Sequence, residues 1–333
     1  MSDKTWPDRR LLDLFGIELP LIQAPMAGPT LHEMVIAVSN AGGLGSLPCA
    51  LLSPEQQRRE LAAIRAACAR PINLNFFCHN QPPADAQLEQ QWRELLAPYY
   101  RELGLAPEAV SPAPARQPFS HAIADLLEDQ PPAVISFHFG LPEPDLLQRV
   151  KGWGSTVLSS ATTVAEARWL EAHGADAIIA QGLEAGGHRG LFLDHDLNSQ
   201  LGTFALLPQV VQAVAVPVIA AGGIADARGV VAALALGAAG VQVGTAYLLC
   251  PECSTSAVHR AALQNEAATT ALTTLFSGRP ARGIVNRLMR ELGPLHPLAP
   301  AFPLATAGVS PLRAAAEARG SGDFSPLWAG QNV

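Results

Sequence analysis

Charge is scarce in this 333-residue chain: charged residues are 15% of it, and 29 Asp and Glu against 22 Lys and Arg leave a formal net charge of -7. That balance excludes the basic face that nucleic acid or an anionic membrane surface requires, so the expected partner is a small molecule. Unbroken apolar runs are missing too. The N-terminal MSDKTWPDRRLLDLFG lacks the apolar h-region of a signal peptide, and the expected location is the cytoplasm. The Ala- and Gly-rich stretch 210–249 is interrupted by Pro217, Asp226 and Arg228, which a lipid-facing helix tolerates poorly; it reads as core. Five cysteines are an odd number for a disulfide framework. Cys250 and Cys253 form a CxxC with neither a second pair nor a nearby His, so no metal site is expected. There is no internal repeat beyond the unit described next, and no low-complexity tract.

What the chain has is apolar residues, 49% of the total, enough for a large core. Short β-branched or apolar runs at 21–24, 44–47, 72–76, 134–137, 156–159, 177–180, 218–221 and 240–243 each end in Gly, Pro or a polar cluster. Helical spacing follows at 30–41, 54–67, 144–151, 163–173, 203–213 and 226–236. Eight alternating βα units predict an α/β fold, a closed (β/α)₈ barrel of the TIM type. Two stretches break the repeat: about 79–130, Pro-rich around a polar helix near 85–103, and about 251–311, helical and then Pro-rich. Both leave the barrel after a strand, on the face where barrels build their sites. The expected division is a barrel of 1–78, 120–250 and 312–333, with 79–119 and 251–311 forming a smaller, mainly helical substrate or lid domain. A homo-oligomer is left open.

The motifs lie at strand ends. Pro217–Ile224 reads PVIAAGGI and Gly240–Thr245 reads GVQVGT, so Gly222, Gly223, Gly244 and Thr245 stand where such barrels cradle phosphate, with the helix start at Asp226 adding its dipole. The bland alternative is tight turns that need positive φ. A third cluster, QGLEAGGHRG from Gln181 to Gly190, is too polar for core; Gln181 suits the polar edge of a flat ring, and Gly186 and Gly187 leave it room. His188 in that loop either orients a phosphate or caps the loop. QAPMAG places Ala24, Pro25 and Met26 under the barrel mouth, although Met there is often mere filler. Asn75, polar within NLNFF, needs partners. His138 in VISFHFG ends the fourth strand between two phenylalanines, a position and a side chain suited to removing a proton from a carbon acid; the alternative is a satisfied core histidine. Arg279 and Arg282, in GRPARG, either aim charge at an anionic substrate or end a solvated helix.

Taken together, QAPMAG, AGGLGSLP, NLNFF, VISFHFG, SSATTVAEA, AQGLEAGGHRG, AAGGIAD, QVGTAYL and FSGRPARGIVNRL resemble the class I nitronate monooxygenases, formerly 2-nitropropane dioxygenases, in order and over nearly the whole chain. The resemblance implies an FMN-binding barrel with a smaller substrate domain. It assigns flavin contacts to Asn75, Gln181, Gly186, Gly223 and the segment Gln242, Val243, Gly244 and Thr245, and the catalytic base to His138. It implies that an alkyl nitronate and O₂ become a carbonyl compound and nitrite without nicotinamide, with propionate 3-nitronate as the suggested substrate. The rival it must exclude is an FMN-dependent enoyl-acyl carrier protein reductase using NAD(P)H, which resembles this family in the APMA and AGGI segments but not in SFHFGLP and GRPARG. An inosine-monophosphate-dehydrogenase-like barrel would need a nucleophilic Cys, and the surroundings of Cys250 do not resemble that loop. A flavin-binding protein without turnover would have little use for His138.

Overall fold

The computed structural model describes residues 6–83, 85–106 and 116–332. Its elements run α1 (Arg10–Phe15), β1 (Leu21–Gln23), α2 (His32–Asn40), β2 (Gly45–Pro48), α3 (Pro54–Ala67), β3 (Ile72–Phe77), α4 (Ala86–Leu103), α5 (His121–Leu127), β4 (Val134–His138), α6 (Pro144–Gly152), β5 (Thr156–Ala161), α7 (Val164–Ala172) and β6 (Ala177–Gln181). They continue β7 (Gly187–His188), α8 (Thr203–Ala213), β8 (Val218–Ala221), α9 (Ala227–Ala235), β9 (Gly240–Val243), α10 (Ala257–Leu263), β10 (Thr270–Thr273), β11 (Ala281–Ile284), α11 (Arg287–Leu292) and α12 (Ala305–Glu317).

Eight strands pair in parallel in the order β1-β9-β8-β6-β5-β4-β3-β2. The ends meet where Gln23 N donates to Leu44 O and Leu44 N to Leu21 O, each at 2.9 Å, so the sheet closes on itself as a TIM barrel. All eight strands expected from sequence are present, and their register is set by period-two burial. Ile22, Leu44, Val134, Leu158, Ala177, Ile179 and Ile219 pack together inside the barrel, where Leu11, Leu12 and Phe15 of α1 join them. Alternate residues such as Ile135, Phe137 and Val157, or Ile178, Ala180 and Val218, face the surrounding helices in two outer cores. Ser53 starts α3 with a full capping box closed by Gln56, which explains the sharpness of that helix's N-terminus. The sequence reading missed α1, whose six residues are too few to show a helical period, and α5, hidden in the Pro-rich stretch.

A separate core lies off the barrel. Trp92, Leu96, Tyr99 and Tyr100 of α4 pack with Leu275, Phe276, Leu288, Met289, Val309, Leu312, Ala316 and Phe324. The two insertions therefore share one apolar interior, joined at its edges by Tyr100 Oη donating to Gly308 O at 2.7 Å and Trp92 Nε1 to Ala305 O at 3.3 Å. The boundary expected at residue 311 falls within α12, whose Leu312 and Ala316 belong to this second core. The second insertion also holds a small antiparallel sheet, β10-β11-β7, in which Arg282 pairs with Gly187 and Ala281 with His188. Thus the QGLEAGGHRG loop of the barrel is tied to the insertion by backbone. Among the described residues no helix is long and apolar enough to cross a membrane, and no group of three His, Cys, Asp or Glu side chains could hold a metal ion.

Candidate active site

Strand parity decides which side chains reach the barrel mouth. In β4, Val134 lies in the interior core and Ile135 and Phe137 in the outer one, so Ser136 and His138 point inward. The same alternation turns Asn73 and Asn75 of β3, Ser160 of β5, Gln181 of β6 and Gln242 of β9 inward. Asn75, His138, Gln181 and Gln242, four of the residues expected from sequence, therefore share the C-terminal end of one barrel. Their polar groups are largely spoken for. Asn75 Nδ2 donates to Ser136 Oγ at 3.0 Å and Ser136 O at 3.3 Å, while Gln181 accepts from Gly190 N at 2.8 Å and donates to His188 O at 3.0 Å. Gln242 is different, for its Oε1 is buried without a partner. A buried acceptor left unpaired is costly, and marks a place where a donor from a ligand would fit.

The glycine loops divide between two uses. Gly222 and Gly223 have φ of 117° and 71°, a region that favours glycine, and their amides and that of Gly244 find no acceptor among the described residues. Gly244 sits beside the first-strand turn: a Cβ there would lie 3.4 Å from Ala24 Cβ and 3.8 Å from Met26 Sδ, which puts Ala24, Pro25 and Met26 at the same rim. Asp226, expected to open a helix dipole toward a ligand, instead caps α9 itself, accepting from Arg228 N at 2.9 Å and Gly229 N at 3.1 Å. Its carboxylate takes helix-start amides that a phosphate would need, and among the described residues the loop amides before it are left without an acceptor. Gly186 answers a packing need, because a Cβ would come within 2.6 Å of Ala329 C and Gly330 N in the C-terminal tail. That tail also donates Gly330 N to Thr245 Oγ1 at 2.9 Å and Asn332 Nδ2 to Gly223 O at 3.0 Å, bracing both loops.

Two histidines meet above the barrel. His138 Nε2 lies 3.2 Å from the backbone oxygen of His188, and its Nδ1 lies 3.1 Å from Ser160 Oγ. A carbonyl only accepts, so His138 carries its proton on Nε2, and Ser160 donates to Nδ1. Both nitrogens of the residue that sequence reading singled out are thus engaged. His188 has Nε2 2.9 Å from Ser277 Oγ, with no partner for Nδ1 among the described residues. Burial holds His138 down at about 3, with Arg279 adding to the shift. Burial, followed by Arg116 and His138, pushes His188 well below its ordinary value, and burial takes His79 to about 4. All three rings are neutral at pH 7.

An aromatic wall lines this space. Phe77, Phe139 and Phe302 form one buried cluster, with the His79 ring 4.8 Å and the His188 ring 5.3 Å from Phe302. Arg279 stacks its guanidinium 3.9 Å over Phe139, donates to Leu191 O, and has Nε buried without a partner. Arg116 lies 5.2 Å over Phe302 and forms no ion pair among the described residues. Desolvation lowers both guanidinium groups to about 10. Two guanidinium groups thus stand against the aromatic wall, and neither forms an ion pair among the described residues, although the Glu166 carboxylate is near enough to Arg279 to act on its charge. Arg282 does not join them: it donates to Leu183 O at 2.9 Å and Thr270 Oγ1 at 3.2 Å, bracing the loop from behind.

Ser160, Ser277, His79, Arg116 and Phe302 escaped the sequence reading, since four of them come from the insertions, whose composition carries no barrel period. Arg189 escaped as well. It is fully buried and donates to Gly182 O at 2.7 Å, Gln181 O at 2.8 Å and Gln200 Oε1, fixing the loop that carries His188.

Comparison with known proteins places the chain in a family. The family model described as nitronate monooxygenase matches residues 8–333. Relatives named nitronate monooxygenase are 43% identical in Paraburkholderia phytofirmans, over 99% of this chain and 91% of that protein, and 43% identical in Pseudomonas aeruginosa, over 97% and 93%. The structure of a nitroalkane oxidase from Streptomyces ansochromogenes superposes with a TM-score of 0.88 at 39% identity, covering 97% of this chain and 91% of that one. With this match running through barrel and insertions alike, the chain belongs to the nitronate monooxygenase family and is an oxidoreductase.

Proposed function

We propose that the protein is an FMN-dependent nitronate monooxygenase that converts an alkyl nitronate and O₂ to a carbonyl compound and nitrite. The observation that carries the proposal is a pair of guanidinium groups, Arg279 and Arg116, that stack on buried aromatic rings beside two neutral histidines and form no ion pair among the described residues. It suits an anion whose charge resides on a nitronate, and propionate 3-nitronate is the substrate we propose first. The residues fit FMN: the free amides of Gly222, Gly223 and Gly244 suit its phosphate, and the unpaired Gln242 Oε1 suits a ring N–H. When bound, the flavin supplies one-electron oxidation of the substrate and delivery of reducing equivalents to O₂.

The chain's own residues do the rest. Arg279 and Arg116 draw the anion in and hold it against Phe139 and Phe302, where the aromatic wall keeps water out. A nitronate arrives deprotonated and needs no base. A neutral nitroalkane must lose its α-proton, and the hydrogen bonds favour His188 Nδ1 as the acceptor, with His138 holding the His188 backbone in place. This shifts the base expected at His138 to its neighbour. The two insertions serve as the lid that closes the pocket.

The test is oxygen uptake and nitrite release on adding propionate 3-nitronate to the FMN-loaded protein without NAD(P)H. Uptake with nitrite is the expected result. No uptake, with oxidation of NAD(P)H by an enoyl thioester instead, overturns it.

A further inference from the structure

Ser277 is fully buried in the second insertion, and its hydroxyl has two neighbours: His188 Nε2 at 2.9 Å and the backbone oxygen of Arg279 at 3.3 Å. A hydroxyl has one proton to give. If that proton went to His188, the Arg279 oxygen would lose this donor and the imidazole proton would sit on Nδ1, which has no partner among the described residues. If it goes to Arg279 O, the serine oxygen accepts from His188 Nε2–H, and both contacts are hydrogen bonds. The second arrangement makes two bonds where the first makes one, and an unmade bond at a buried site is costly.

We infer that Ser277 is a positioning residue that fixes the tautomer of His188, keeping the proton on Nε2 and the bare lone pair on Nδ1 toward the substrate. The serine is itself rigid. Gly278 N donates to Thr274 O at 2.8 Å, and Gly278, at φ 86°, lies against the backbone of Pro300, where a Cβ would come within 1.9 Å of its oxygen. The contrast with the other pair is chemical: Ser160 donates to His138 and occupies its lone pair, whereas Ser277 accepts from His188 and exposes one. The insertion thereby sets the proton state of a loop that belongs to the barrel. This inference rests on the proposed role of His188 as base.

Histidine-selective ¹⁵N labelling of the holoenzyme, with long-range ¹H–¹⁵N correlation at pH 7 and assignment by His188→Asn, tests it. The expected wild-type spectrum has His188 protonated at Nε2 and bare at Nδ1. Ser277→Ala is expected to give a mixture of tautomers and to lower the ratio of nitroethane to ethylnitronate turnover about tenfold, with Ser277→Thr restoring both. A wild-type ring protonated at Nδ1 overturns the inference, whether or not the alanine variant folds. So does a Ser277→Ala spectrum identical to wild type. Undiminished nitroethane turnover in His188→Asn would instead remove the base assignment, a separate failure that the tautomer spectrum does not share.

Discussion

His138 donates its Nε2–H to the backbone oxygen of His188 at 3.2 Å, so one histidine holds the peptide of the other. The same oxygen accepts from Gln181 Nε2 at 3.0 Å, which ties β4 and β6 to one point of the glycine loop. A ring that spends both nitrogens on the protein is a poor proton acceptor, and its neighbour is a better one.

Replacement of the two histidines should therefore give different patterns. His188→Asn is expected to lower kcat/KM for a nitroalkane about a hundredfold, with a much smaller loss on the corresponding nitronate. His138→Asn loosens the loop and should reduce both by similar factors. Steady-state oxygen consumption with matched nitroalkane and nitronate pairs checks this. The reverse pattern returns the base to His138.

The pH dependence follows from neutral rings. Burial keeps His138 and His188 far below the ordinary histidine value, so the free base persists in acid and the acid limb of nitroalkane kcat/KM lies well below the ordinary histidine range. A limb near pH 6.5 contradicts the buried pocket. Stability runs the other way. His79 titrates at about 4 when folded, so below about 6.5 the unfolded chain takes up a proton that the folded one does not. Its contribution is present above pH 6.5 and falls by about 1.4 kcal/mol per pH unit down toward 4. Urea unfolding at pH 6.5 and 5.5 should show a slope steeper than that, because buried His138 and His188 add to it, and His79→Asn should lower it by about 1 kcal/mol per pH unit.

Arg279 forms no ion pair among the described residues, with Glu166 acting on it only at a distance, and its Nε is buried without a partner. Arg279→Met keeps the stacking on Phe139 but removes the charge. The KM for a nitronate is expected to rise about tenfold or more, the effect of losing one charge-assisted hydrogen bond, with a smaller rise for a neutral nitroalkane. An equal rise for both substrates would mean that Arg279 only packs.

Gln242→Leu separates folding from cofactor binding. Its Oε1 is an unpaired buried acceptor, so an apolar replacement of similar shape should leave the apoprotein as stable or more so, while flavin retention on desalting falls. A destabilised apoprotein would show that the side chain has a structural partner after all.

Much of the site was legible because barrel strands obey a period of two. His138, Asn75, Gln181 and Gln242 could be placed at strand ends from apolar runs alone, and alternation then determines that they face inward. The glycines at 222, 223 and 244 announced their loops in the same way. The insertions gave no such signal: α4 was visible by its spacing, but β10 and β11 lie in a stretch of mixed composition, and the third strand of their sheet, β7 beside β11, has two residues, too few to leave a pattern.

The sequence by itself determined the barrel, its eight strands and the inward set of polar residues, because those depend on local periodicity and on where glycine is placed. Tertiary structure decided which histidine keeps a free nitrogen, since that depends on Ser160 and Ser277, 22 and 89 residues from their partners. It also decided that Arg279 faces the pocket while Arg282, three residues on, braces the loop behind it. Hydrogen bonds and charge act through space, and the chain's order carries no record of which distant groups they will join.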